Sequence, residues 1–104
     1  MIWGIGVLFA WAAPSGALTV AETRANMSSD ERFAYVGGVI EGLAFARWIT
    51  DNRSTEGRDC ILNWYFANDN ESARFNRQMG FFDEHPDQHI STLMYALIRE
   101  ECGE

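Results

Sequence analysis

"ISTLMYALIREECG", residues 90–103, is the stretch whose reading decides the fold. Its large apolar side chains, Ile90, Leu93, Met94, Leu97 and Ile98, recur at alternating spacings of three and one. That rhythm gathers them on one face of an α-helix and matches no strand, whose faces alternate every two residues. Cys102 continues the same face, and Gly103 stands where a stopping helix takes a left-handed residue.

Upstream, "DEHPDQH" (83–89) holds both histidines of the chain, four residues apart. On a helix that spacing would pair the rings, but Pro86 pushes His85 out of the α region. The stretch therefore reads as a turn: His85 ends one helix, Pro86 pre-sets φ for the next, and Asp87 suits its N-terminal dipole. The helix before it is capped by Asp69 or Asn70 and runs to about Asp83, with Phe75, Met79 and Phe82 on one face. "CILNWYFAND" (60–69) predicts a short helix, in which the consecutive Trp64, Tyr65 and Phe66 cannot all face inward. The polar "TDNRSTEGR" (50–58) predicts a loop.

"SSDE" (28–31) is a capping box, Ser28 accepting from the Glu31 amide while Glu31 reaches back to the Ser28 amide. The helix it opens carries Phe33, Val36, Ile40, Leu43, Ala44 and Trp48 as one apolar stripe. It also holds Gly37, Gly38 and Gly42, each costing about 0.8–1 kcal/mol relative to Ala. Glycines in that number point to close approach of another backbone, within the fold or across a homodimer. No segment alternates with period two over a useful length. The expectation is a small all-α, four-helix domain.

Residues 1–21 carry no charged side chain, and "IWGIGVLFAWAA" (2–13) is a continuous apolar run. As a helix it spans only about 18 Å, too short for a hydrocarbon core. "SGA" (15–17) supplies the small residues of a signal-peptidase site, which predicts a signal peptide over 1–17, cleavage after Ala17 and a domain over 18–104. No stable membrane insertion of the mature chain is expected. The chain has eight arginines, no lysine and 15 acidic residues, for a formal charge of −7. Without a basic cluster, nucleic acid and anionic membranes are poor partners, and a protein partner fits better.

Export makes Cys60 and Cys102 candidates for one disulfide. Closing their loop would contribute about 4 kcal/mol in the chain-entropy picture, comparable to the whole stability of a small domain. Two buried thiols in a reducing compartment is the alternative reading. With no CxxC spacing, the pair makes neither a zinc site nor a redox motif.

Chemistry-bearing patterns are few. There is no GxSxG elbow and no histidine placed to activate a nucleophile. "YVGGVIEG" (35–42) lacks the phosphate-binding GxGxxG spacing, and two histidines without a third ligand make a weak metal signature. No catalytic, cofactor or metal residues are expected, and the chain reads as a non-enzymatic protein.

The segment from "FAYVGGVIEGLA" (33–44) to Cys102 resembles the Rap/Tai group of small periplasmic immunity proteins, which guard against cell-wall amidases delivered by type VI secretion. The matching positions are Tyr35, Gly38 and Val39, then Cys60, then His85, Pro86 and Asp87, then "STLMYALIREEC" (91–102). Two stretches depart: "EC" stands where the group has "PC", and "ILNWYFAND" replaces a Pro-Gly-Val type stretch after the first Cys. The resemblance implies a four-helix periplasmic protein with a Cys60–Cys102 bridge that occludes the active-site cleft of a toxic effector. A homodimer is a further implication. Partner-binding loops are sought at Asp51, Asn52, Arg53, Glu56 and Arg58, or at Asn68, Asp69 and Asn70. The rival expectation is a small periplasmic acid-stress chaperone whose carboxylates, once protonated, loosen the fold and expose Trp and Phe.

Overall fold

The computed structural model describes residues 17–67 and 69–104, so the predicted signal peptide lies almost wholly outside the described residues, as does Asn68. The described chain is all-helical: α1 (Val20–Asn26), α2 (Ser29–Thr50), α3 (Glu56–Phe66), α4 (Glu71–Glu84) and α5 (Ile90–Cys102). Five helices stand where four are expected. The addition is α1, opened by a second capping box in which Glu22 N–H donates to Thr19 Oγ1 and Thr19 N–H to Glu22 Oε1. At seven residues it is too short to show a period, and it buries only Val20 and Thr23.

The core forms where the α5 stripe meets α2 and α3. Ile90, Leu93, Met94, Leu97 and Ile98 are all buried, and Gly103 caps the helix at φ 74°. They pack with Val36, Ile40 and Ala44 of α2, Ile61, Trp64 and Tyr65 of α3, Phe82 of α4 and Val20 of α1. Burying each large side chain stabilises by about 1.5–3 kcal/mol. Trp64 and Tyr65 face inward while Phe66 is exposed, the division that three consecutive aromatics require.

Several local expectations change. Ser28 caps α2 as predicted, but Phe33, placed in the buried stripe, is 67% exposed because the first turns of α2 run past the edge of the core. α3 begins at Glu56, so the expected 50–58 loop shrinks to 51–55. That turn is a Schellman end to α2: Arg53 N–H donates to Trp48 O and Asn52 N–H to Ile49 O, with Asn52 and Arg53 both at positive φ. Pro86 and Asp87 are not in the first turn of α5, which starts at Ile90. They form a β-turn closed by Gln88 N–H to His85 O. The glycine expectation fails within the fold. A Cβ added at Gly37, Gly38 or Gly42 would meet nothing within 4 Å.

Two sets of contacts tie the ends together. At the C-terminal end of α2, Arg47 Nε donates to Asp51 Oδ2 (2.8 Å), and its Nη atoms to Gly103 O (3.1 Å) and Cys102 O (3.4 Å). The guanidinium thus satisfies carbonyls that the end of α5 leaves open. Gly57 is small because Arg47 lies against it; a Cβ there would sit 2.5 Å from Arg47 Nε. Beside it Cys60 and Cys102 stand at disulfide distance, Cα to Cα 5.9 Å. Elsewhere the chain entering α1 is stitched to the turn before α5. Val20 N–H donates to Gln88 O, Ala21 N–H to Pro86 O and Ile90 N–H to Leu18 O, at 2.9–3.0 Å.

Candidate functional site

The site begins with the inward face of α4. The apolar pattern puts Phe75, Met79 and Phe82 there, but the buried positions are Arg74, Gln78 and Phe82, four residues apart. Phe75 turns outward and is 48% exposed. The helix has rotated so that Phe82 reaches the core, which carries Arg74 and Gln78 inward on the same row.

Arg74 is 8% exposed and Gln78 4%. One Arg74 Nη1–H donates to Gln78 Oε1 at 2.8 Å, and the guanidinium carbon lies 4.0 Å above the centre of the Tyr65 ring. Arg74 Nε is buried and has no hydrogen-bond partner. Burial raises the Tyr65 hydroxyl above its ordinary pKa, against the opposing pull of the Arg74 charge. Tyr65 therefore stays a neutral phenol at pH 7 and meets Arg74 through its π face and its hydroxyl, not as a counter-ion. Among the described residues, none of the ion pairs includes Arg74. A buried cation without a carboxylate is an unusual feature, since buried charges are ordinarily paired.

Above this pair a groove of about 480 Å³ runs between α1, α2 and α4. Tyr65, Phe82, Val36 and Ile90 form its apolar floor, and Phe33 and Phe75 flank it. Its volume falls within the roughly 300–1,000 Å³ of ligand clefts. Of the arginines that line it, Arg24 is held by Asp83 at 2.7 Å, and Arg32 donates to Met27 O and Ser29 Oγ. Asp30 and Glu71 also line the groove without pairing with Arg74.

The residues expected to bind a partner separate into two places. Asp51, Asn52 and Arg53 form the turn after α2, with Glu56 and Arg58 on the first turn of α3. Arg58 pairs with its neighbour Asp59, and Arg53 stacks on Trp48. This group sits about 25 Å along α2 from Phe33, at the stapled end and away from the groove. Asp69 and Asn70 precede α4, next to Glu71 on the groove. Sequence reasoning did not single out Arg74. The one available signal was the Arg74–Gln78–Phe82 spacing of four, in which a charged residue shares a row with a core aromatic.

His85 caps the end of α4 with its ring against Phe81, and His89 is the N-cap of α5. The two therefore sit on different elements, as Pro86 requires. Among the described residues no three His, Cys, Asp or Glu side chains gather as metal ligands, and no helix is long and apolar enough to cross a membrane. No family model matches the chain, and neither does any curated protein or solved structure.

Proposed function

We propose that this chain is an exported, non-enzymatic binding protein that holds a protein partner on the groove between α1, α2 and α4. The observation that carries the reading is the groove's composition: exposed Phe33 and Phe75 beside an unpaired, buried Arg74. Aromatic residues and arginine supply most of the binding energy at protein interfaces, and they do so where water is excluded. The Cys60–Cys102 pairing supports export, because such bonds persist in oxidising compartments. The Rap/Tai resemblance at Tyr35, Cys60, His85-Pro86-Asp87 and Cys102 gives the partner's class. In this reading it is a cell-wall amidase delivered into the periplasm, neutralised when its active-site cleft is covered.

The test is genetic. Deleting the gene should sensitise cells to a sister strain that secretes the amidase, and the wild-type chain should restore protection. Phe33→Ala should protect poorly, while Arg53→Ala, on the distant turn, should protect fully. If the deletion strain is as resistant as its parent, the neutralising role is wrong.

A further inference from the structure

We infer that the groove receives an extended peptide segment of the partner that sets a carboxylate against Arg74 and seats a neighbouring apolar side chain between Phe33 and Phe75, a reading that rests on the binding role above. A guanidinium is protonated at every physiological pH and carries its donors in a fixed fork that matches a carboxylate. Arg74 is buried with Nε unsatisfied, and what it meets from the fold is one amide oxygen and the ring and hydroxyl of Tyr65, none of them a counter-charge. The phenylalanines that flank the groove are exposed in the free protein, which suits a chain laid across it.

The charge requirement discriminates among occupants. The chain's own residues 1–16 are apolar enough for the floor but contain no Asp or Glu, so they would leave Arg74 unpaired. A purely aliphatic guest fails for the same reason. An acidic side chain next to a Phe or Leu meets both demands at once, and the resulting charge-assisted bonds are strong.

The experiment titrates the full oxidised chain with acetyl-Ala-Phe-Glu-Leu-Ala-amide and with the same peptide carrying Gln for Glu. Binding is read by calorimetry and by amide NMR shifts. The expected result is a Kd at least about tenfold lower for the Glu peptide, with shifts centred on Phe33, Arg74 and Gln78. Arg74→Met should erase that ratio. Phe33→Ala alters only an exposed side chain, so it should keep the fold, weaken both peptides and preserve the ratio. Equal binding of the two peptides, no binding of either at millimolar concentration, or a Glu preference that survives Arg74→Met would overturn the inference. So would sedimentation showing that the free chain dimerises through the groove, since the occupant would then be a second copy. Protection of cells is not read by these titrations. Failure here therefore leaves the neutralising role standing, and a deletion strain as resistant as its parent, with an intact Glu preference, overturns only that role.

Discussion

Arg47 and Arg74 are both largely withdrawn from water, and they meet opposite circumstances. Arg47 has a carboxylate at 2.8 Å and two carbonyls at the end of α5, every one supplied by the fold. Arg74 has a glutamine oxygen, the ring and hydroxyl of Tyr65, and a nitrogen with nothing to donate to. The first arginine is explained by the structure around it. The second is not, and the fold retains it at a cost, because taking a charge out of water without a partner is unfavourable by several kcal/mol. The fold satisfies its arginine at the stapled end and leaves the one beneath the groove without a carboxylate.

Three measurements would break or sharpen this contrast. The largest effect should come from the staple. Replacing both Cys60 and Cys102 with Ser should lower the unfolding free energy by about 4 kcal/mol in urea titrations under oxidising conditions. A loss below about 1 kcal/mol would mean that the bridge does not define a stable end.

Next come the arginines themselves. Arg47→Met removes a charge-assisted bond and uncovers two carbonyls, and should cost about 2–3 kcal/mol. Arg74→Met leaves Gln78 Oε1 without its donor but relieves an uncompensated charge, so its net effect should stay within about 1 kcal/mol of zero. Equal losses would erase the distinction between the two sites.

The smallest effects are at glycines. Gly38→Ala and Gly42→Ala place a methyl in open space on a helix and should each stabilise by about 0.8–1 kcal/mol. Gly57→Ala forces its methyl against Arg47 and Asp51 and should destabilise instead. A loss at Gly38 or Gly42 in the purified protein would reveal a packing partner on the outer face of α2, which the dimer expectation would supply.

What could be read in advance follows from how local the cause is. The α5 stripe and the Ser28 box are set by neighbours within a few residues, and both formed as their spacing demands. α1 is hidden in the sequence because "LTVAE" (18–22) follows directly on the small residues of the predicted cleavage site and seven residues hold no full apolar repeat. The early start of α3 was hidden by its polar first turn, where Gly57 serves Arg47, ten residues upstream. Arg74 lies furthest from prediction: its burial depends on the rotation of α4, which depends on where Phe82 meets α5. Of the residues expected to touch a partner, Asp69 and Asn70 precede α4 without lining the groove, and Asp51 to Arg58 belong to the other end.

The stitch between residues 18–21 and 86–90 has a consequence for timing. These backbone bonds join a helix near the start of the described chain to a turn close to its end. In a polypeptide that emerges from its N-terminus, α1 has no docking surface until the His-Pro turn has appeared. Until then the groove lacks one of its walls, and its closure waits on residues 86–90. Non-local closure of this kind is slow relative to helix formation. The groove is therefore a non-local feature, present only once the two distant segments have been joined.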